Sequence, residues 1–319
     1  MTNAAYQVEI FEDTVVGDPP IGIDYQEGRF NSGVDCVEDF WGTRAPCKLY
    51  FRLWKPKQEP RGIVGIIHGL GEHCGRYGYV AAHFVSAGYA VCGFDFRGHG
   101  HSSGRKGHVE SWVDFREDIK SFIGQLKTVD SQAPIFLFCH SLGALAGVDY
   151  LLNLQTPSVE PRIRGVITSS PPFVPANLSW FKLALSRILG RAPLLRRVHF
   201  TNGIDSKSLA RDANEVRRYE NDRLIHHLAT PALAFEYEAT RARTVVNAGD
   251  LGIPILMFSA SGDILTPPRG TVEFYDRLPE DLDRESILID DAFHEIHNDL
   301  KESRDTMLNH WLAWMDKRL

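Results

Sequence analysis

The sequence lacks the features that define several classes of protein. Its 319 residues carry a formal net charge of −6, whereas a nucleic-acid-binding face needs clustered lysine and arginine. No uncharged stretch approaches the roughly 20 residues that a membrane-spanning helix needs. The N-terminus contains acidic residues and no apolar core, so we do not expect a signal peptide. Nucleic acid is therefore not expected as a partner.

Paired cysteines and metal-binding spacings are also missing. The five cysteines are an odd number and include no C-x-x-C pair, so we expect no disulfide framework and a cytoplasmic location. There are 13 histidines, but no H-E-x-x-H motif, because His297 follows His294 one residue too early for it. We expect no metal site.

Apolar, β-branched runs that alternate with helical patterns are what the chain does have. They predict a mostly parallel sheet with helices on both faces, an α/β fold. The alternation stops between 171 and 250, where several helices are expected and no clear strand. We therefore divide the chain into an N-terminal extension (1–28), an α/β core (29–170 and 251–319) and an inserted helical cap (171–250).

One stretch, 135–147, reads as a buried strand, a sharp turn and a helix, with Ser141 at the turn. This arrangement is typical of a nucleophile elbow, in which a strained turn presents a serine hydroxyl to substrate. Gly143 fits the second glycine of G-x-S-x-G, but Cys139 stands in place of the first. A plain strand–helix turn is the alternative.

A serine nucleophile needs a base and a group that orients the base, in the chain order serine, acid, histidine. Asp263 follows a buried strand after Gly262, and His294 follows the last strand. Asp263 alone could equally be a turn or cap residue, and Asp290 and Asp291 are weaker candidates for the acid. The fold also predicts two oxyanion donors, the backbone N–H groups of Leu142 and, in the glycine-rich bend, Leu70.

The chain resembles the monoacylglycerol lipase and lysophospholipase branch of the α/β-hydrolases, also grouped as serine aminopeptidase S33-like, over about residues 45–319. The resemblance is carried by six short stretches: 68–77 (HGLGEHCGRY), 95–102 (DFRGHGHS), 140–143 (HSLG), 209–212 (LARD), 261–263 (SGD) and 294–297 (HEIH). It implies the α/β-hydrolase fold, with an eight-stranded sheet and a helical cap. It also implies Ser141, Asp263 and His294 as the catalytic triad, with Leu70 and Leu142 as oxyanion donors.

The same resemblance implies that Glu72, Arg76 and His297 bind the alcohol end of the substrate. The alternative for Glu72 and Arg76 is an ion pair that only holds the bend. Two residues depart from the family pattern, since Cys139 and Ala144 stand where glycine is usual. Asp95 and Arg97 are expected to form a structural pair that holds their own loop.

These observations predict a serine hydrolase that cleaves the acyl ester of a monoacylglycerol-like lipid through an acyl-enzyme, with no cofactor or metal. A lysophospholipase or general carboxylesterase is the alternative among enzymes, with a prolyl-type peptidase less favoured. A non-catalytic ligand-binding protein of the same fold is the alternative from another class. The stretch 180–200 suits an apolar acyl tunnel; its arginines predict either solvent exposure or transient contact with a membrane surface.

Overall fold

The computed structural model describes residues 23–154, 162–174, 189–192 and 195–319. Eight strands form its central sheet: β1 (Ile23–Asn31), β4 (Lys48–Pro56), β5 (Ile63–Ile67), β6 (Ala90–Phe94), β7 (Ile135–His140), β8 (Ile163–Ser169), β11 (Ile255–Ala260) and β12 (Arg284–Ile289). Their order is β1-β4-β6-β5-β7-β8-β11-β12. β4 pairs antiparallel with β1 and β6, and the remaining pairs are parallel. The predicted eight-stranded, mostly parallel sheet is confirmed.

Seven α-helices lie within the described ranges: α1 (Gly78–Ser86), α2 (Trp112–Val129), α3 (Leu142–Leu152), α4 (Ala213–Asn221), α5 (Pro231–Val246), α6 (Arg269–Tyr275) and α7 (Lys301–Asp316). α2, α3 and α6 pack on one face of the sheet, where Phe115 and Phe274 belong to the same apolar core. α1 and α7 cover the other face with Phe84 and Trp311. The sheet is therefore enclosed by helices on both faces, as the sequence predicts.

The middle strands read as continuous apolar runs because both of their faces are covered. Every residue of β5 and of β7 is buried. Parallel strands bring their carboxyl ends to one edge of a sheet, which is where open α/β sheets place their ligand sites. The loops that follow β5, β7, β8, β11 and β12 therefore meet at a single edge.

The first sheet strand begins inside the segment assigned to the N-terminal extension. β1 starts at Ile23 and pairs with β4 along its whole length, with Arg29 opposite Tyr50. Residues 1–22 of that extension lie outside the described residues. The division into extension, core and cap remains a prediction.

The cap segment 171–250 contains helices α4 and α5, as expected, and also a strand pair that the sequence did not predict. β9 (Phe200–Thr201) pairs antiparallel with β10 (Leu228–Ala229). Two-residue strands are too short to show a period, which explains why the pattern missed them. A similar pair, β2 (Cys36–Val37) and β3 (Arg44–Ala45), lies in the connection between β1 and β4. Most of the stretch 180–200, with its predicted acyl tunnel, lies outside the described residues.

The expected pairing of Asp95 with Arg97 is wrong. Arg97 instead forks Asp118 on α2, with Nε–Oδ2 and Nη2–Oδ1 distances of 2.7 and 2.6 Å. Asp95 accepts the backbone N–H groups of Cys74 and His101. Both residues hold their loop, and each does so with a partner 21 positions away, Cys74 for Asp95 and Asp118 for Arg97. Residue spacing does not reveal such partners.

Candidate active site

Ser141 occupies the single position between β7 and α3. Its backbone has φ 50° and ψ −119°, a left-handed conformation that costs a non-glycine residue free energy and that surrounding structure must impose. The Ser141 N–H donates to the Ser169 carbonyl at the end of β8, at 3.0 Å. The turn therefore has the strained geometry of a nucleophile elbow.

Close packing under the turn explains its glycines. A Cβ at Gly143 would lie 2.2 Å from the Ile67 carbonyl oxygen, so no side chain fits there. Cys139, which replaces the usual first glycine, is fully buried. A Cβ at Gly147 would lie only 2.5 Å from the Cys139 sulfur. Gly147, one turn into α3, thus makes room for the cysteine that departs from the pattern.

Ser141, His294 and Asp263 form one hydrogen-bonded chain. His294 Nε2 lies 2.9 Å from Ser141 Oγ, and His294 Nδ1 lies 2.8 Å from Asp263 Oδ2. Asp263 follows β11 and His294 follows β12, so the sheet edge brings three distant residues together. This arrangement can move a proton from the hydroxyl to the imidazole and stabilise the imidazolium that results.

The surroundings set the charge states of this chain. Burial alone would raise the pKa of the Asp263 carboxyl, but His294 and hydrogen bonds from Thr266 hold it below its usual range. Burial alone would lower the pKa of His294, but Asp263, with smaller contributions from Glu295 and Glu72, raises it above its ordinary value. The site therefore favours an ionised aspartate beside a basic imidazole.

Two hydroxyl residues that sequence reasoning missed hold the chain in place. The Thr266 hydroxyl donates to Asp263 Oδ2 at 2.7 Å, and the Thr266 N–H donates to Oδ1 at 2.9 Å. The Ser170 hydroxyl donates to the His294 carbonyl at 2.6 Å. Thr266 was detectable in principle, because threonine three residues after aspartate is a common local hydrogen-bonding pattern.

The glycine bend (residues 68–71) packs against the turn that carries Ser141. A Cβ at Gly69 would lie 3.3 Å from the Ser141 Cβ. Leu70 lies within this bend, and Leu142 is the first residue of α3, where backbone N–H groups have no partner inside the helix. The predicted oxyanion donor Leu142 thus directly follows Ser141 in the chain. The other, Leu70, lies in the bend that packs against the Ser141 turn.

His68 stabilises the bend in its neutral form. Its Nδ1 lies 2.7 Å from the Gly69 carbonyl oxygen, and its Nε2 accepts the Phe96 N–H at 2.9 Å. An Nε2 that accepts a hydrogen bond cannot carry a proton. Burial accordingly lowers the pKa of His68 to about 3.

Glu72 and Arg76, two of the predicted alcohol-binding residues, are buried and bonded to each other, with Arg76 Nη1 donating to Glu72 Oε2 at 3.0 Å. Arg76 also forks Glu295, with both N–O distances at 2.6 Å. Glu295, which the family resemblance includes only within the stretch 294–297, directly follows the candidate base His294. Both predicted residues therefore have protein partners.

His297, the third predicted alcohol-binding residue, lies in a column of aromatic rings. Its ring stacks on Tyr77 with centroids 4.7 Å apart and planes at 11°. His140 bridges His297 and His294, with centroid distances of 4.8 and 4.9 Å. Among the described residues, neither ring nitrogen of His297 has a hydrogen-bond partner, and burial lowers its pKa to about 3.

The cap segment 205–229 is attached to the loops of the site. The Glu295 N–H donates to the Leu209 carbonyl at 2.7 Å, and the His226 N–H donates to the Gly71 carbonyl at 3.0 Å. Side chains add three contacts: His73 with Asp222 at 2.8 Å, Arg211 with Asp299 at 2.8 Å, and Arg76 under the Tyr219 ring at 4.9 Å. This segment is therefore anchored to the loops that carry the site.

No helix in the described ranges is both long and apolar enough to cross a membrane. In the same ranges, no group of three or more histidine, cysteine, aspartate or glutamate side chains is placed to hold a metal ion.

The chain matches the family described as Serine aminopeptidase, S33 over residues 58–301. It is 33% identical over 273 residues to an uncharacterized abhydrolase domain-containing protein of Dictyostelium discoideum, a match covering 85% of this chain and 28% of that protein. The chain thus spans less than a third of that relative's length. It is 27% identical over 276 residues to a monoacylglycerol lipase of Mycolicibacterium smegmatis, a match covering 85% of this chain and 94% of the relative.

Solved structures give the same picture. The fold superimposes on the crystal structure of a monoacylglycerol lipase from Paleococcus ferrophilus with a TM-score of 0.74 and 31% sequence identity. The match covers 85% of this chain and 99% of that one. The two chains are therefore alike in sequence as well as in fold.

Proposed function

The chain belongs to the serine aminopeptidase S33 family, and from that premise we propose that it hydrolyses the acyl ester of monoacylglycerol-like lipids with Ser141 as nucleophile. His294 is the general base and Asp263 orients it. The backbone N–H groups of Leu70 and Leu142 bind the oxyanion. The products are a fatty acid and glycerol.

The reaction takes place in two halves. His294 Nε2 removes the proton from Ser141 Oγ as Oγ attacks the ester carbon, and the carbonyl oxygen takes up the negative charge. The imidazolium then gives its proton to the glycerol oxygen as the ester bond breaks, which leaves an acyl-enzyme. Water, deprotonated by His294, attacks the acyl group, and the fatty acid is released with Ser141 restored.

The observation that carries the proposal is the hydrogen-bond chain from Ser141 Oγ through His294 to Asp263, at 2.9 and 2.8 Å. Its members come from three separate strand ends. A serine between strand and helix at φ 50° adds support, because such strain is otherwise disfavoured and clusters at functional sites.

We assign the glycerol end of the substrate to the neighbourhood of Glu72, Arg76 and His297. Two carboxylates and one guanidinium meet there, counting Glu295, so this end has no surplus of positive charge. These charges suit the neutral hydroxyl groups of glycerol better than the phosphate of a lysophospholipid. A panel of monoacylglycerols and lysophospholipids of matched acyl chain tests this preference, and equal turnover of both would contradict it.

The cap segment 171–250 is further proposed to contact the lipid surface that holds the substrate. Leu195, Val198 and Phe200, in the described part of 180–200, are exposed. Arg196 and Arg197 lie among them, with Glu110 as a shared partner. Co-sedimentation with anionic vesicles is expected, and recovery of all protein in the supernatant would contradict it.

The decisive experiment for the function is labelling with a fluorophosphonate, which reacts with activated serines. We expect one adduct per chain on Ser141, and neither labelling nor ester hydrolysis by the Ser141→Ala variant. A non-catalytic binding protein would leave the wild-type chain unlabelled. Preferred turnover of short water-soluble esters over monoacylglycerols would instead favour the general carboxylesterase.

A further inference from the structure

Beside His294 lies a buried charged group that the reaction steps above do not use. Glu295 follows the base directly, and its side chain is only 4% exposed. Its two oxygens accept from Arg76, Nη1 to Oε1 and Nη2 to Oε2, each at 2.6 Å. Bidentate contacts of this kind fix geometry as well as contribute energy.

Arg76 carries the connection from Glu295 to the glycine bend. Its Nη1 also donates to Glu72 Oε2 at 3.0 Å. Glu72 Oε1 in turn accepts the Gly69 N–H at 2.7 Å and the Tyr77 hydroxyl at 2.9 Å. Gly69 immediately precedes Leu70, so an unbroken run of buried polar contacts joins the residue after the base to the residue before an oxyanion donor.

We propose that Glu295 is a positioning residue, whose fork on Arg76 holds the His294 loop (residues 290–298) in register with the glycine bend. The inference rests on the function proposed above. The base takes the proton of Ser141 as Ser141 attacks the substrate carbonyl, and the oxyanion donor binds the oxygen of that carbonyl. The two groups come from loops that follow different strands. A rigid link between the two loops maintains the distance that both groups need.

Glu295 also contributes charge to the base. Arg76 and a hydrogen bond from Asn298 lower the pKa of the Glu295 carboxyl to about 2 against the effect of burial, so it is ionised at neutral pH. Its negative charge favours the protonated form of His294. The other groups that act on or face the His294 ring are Asp263, Thr266, Glu72, Ser141 and His140.

The Glu295→Gln variant tests the proposal, because it keeps the shape of the side chain and removes its charge. We expect fluorophosphonate labelling of Ser141 to slow by about tenfold or more. We also expect the acid limb of the kcat/KM profile to move to lower pH, since the imidazole loses a negative neighbour and Arg76 loses its counter-charge.

Asp118→Asn is the matched control. Asp118 forms an equally buried fork, at 2.6 and 2.7 Å with Arg97, between α2 and the loop after β6. Both variants leave a buried guanidinium without a full partner and should lose stability alike. Only Glu295→Gln should change labelling and the acid limb.

Wild-type labelling rates and an unmoved acid limb in folded Glu295→Gln would overturn the proposal, as would equal changes in Asp118→Asn. If Glu295→Gln does not fold, Arg76→Lys keeps the positive charge and loses the fork; it should slow labelling, and an unchanged rate would overturn the proposal. A wild-type chain that does not label at Ser141 would reject the proposed function itself, which separates the two failures.

Discussion

Ser141 Oγ and His294 Nε2 lie 2.9 Å apart, yet the chain holds the two residues in place by different means. Ser141 is fixed by its backbone, in a turn between β7 and α3 where Gly143 has no room for a side chain. His294 is fixed by the hydroxyl of Ser170 from another loop, and Asp263 by the hydroxyl of Thr266 in its own loop. Backbone packing thus positions the proposed nucleophile, and polar contacts position the proposed base.

This difference indicates how each side should respond to mutation. Changes near the nucleophile turn should alter stability through close packing, because space is what is scarce there. Changes near the base should alter rate and pH dependence, because hydrogen bonds and charge are what matter there. Five predictions test that contrast, and they follow from the largest expected effect on activity to the smallest.

Asp263→Asn should break the histidine side most severely. An asparagine cannot accept from Nδ1–H with the same charge, and the imidazole loses both its tautomer and its electrostatic support. We expect kcat for ester hydrolysis to fall by roughly 10⁴-fold, with the folded content by circular dichroism unchanged. Asp290 is exposed and is a weaker candidate for the acid, so Asp290→Asn should keep the wild-type kcat. A large loss of kcat in Asp290→Asn would contradict Asp263 as the acid.

Thr266→Val should show how far the base depends on its supporting hydroxyl. The variant keeps the shape of the side chain and removes the donor 2.7 Å from Asp263 Oδ2. Hydrogen bonds to charged groups contribute about 1.5–3 kcal/mol, so kcat should fall roughly 10- to 100-fold. Thr266→Ser, which retains the hydroxyl, should restore most of the rate, and equal loss in both variants would argue against the hydrogen bond.

The pH profile should report the histidine side alone. The proposed reaction needs neutral His294, whose pKa lies above its ordinary value because Asp263 outweighs the effect of burial. We expect kcat/KM to be flat at alkaline pH and to fall tenfold per pH unit below an apparent pKa above about 6.5. An apparent pKa well under that value would contradict the predicted charge support.

Stability should respond to pH with the opposite sign for the neighbouring histidines. The raised pKa of His294 contributes stability that is present below about pH 6.5 and lost as pH rises through its folded pKa. Burial lowers the pKa of His68 and of His297 to about 3. Each of these residues therefore lowers the free energy of unfolding as pH falls below about 6.5, by about 1.4 kcal/mol per pH unit. Urea unfolding at pH 7.5 and 5.5 should therefore show lower stability in acid.

Gly147→Ala should have the smallest effect on catalysis and tests the nucleophile side. The added Cβ would meet the Cys139 sulfur at 2.5 Å, and overpacking of this kind costs about 1–3 kcal/mol of unfolding free energy. Activity per folded molecule should stay near wild type. Adding Cys139→Ala removes the sulfur and should recover the lost stability, whereas a double variant no more stable than Gly147→Ala would show that the clash lies elsewhere.

The sequence predicts the backbone-held side of this site better than the side-chain-held side. Strand runs and the turn around Ser141 are local patterns, and topology alone places Asp263 and His294 at the same sheet edge. The contacts of Arg76 with Glu295 and of Arg97 with Asp118 link residues 219 and 21 positions apart. No local spacing encodes such pairs, which is why the expected Asp95–Arg97 pair was wrong and Glu295 went unnoticed as a partner.

The bonds between cap segment 205–229 and the catalytic loops have a consequence for hydrogen exchange. The Glu295 N–H bonds to Leu209 in the cap, and the His226 N–H of the cap bonds to Gly71 in the glycine bend. Each hydrogen bond connects segment 205–229 to a catalytic loop, so neither amide exchanges with solvent deuterium unless the segment separates from that loop. The protection factors of these two amides thus measure how rarely this separation occurs.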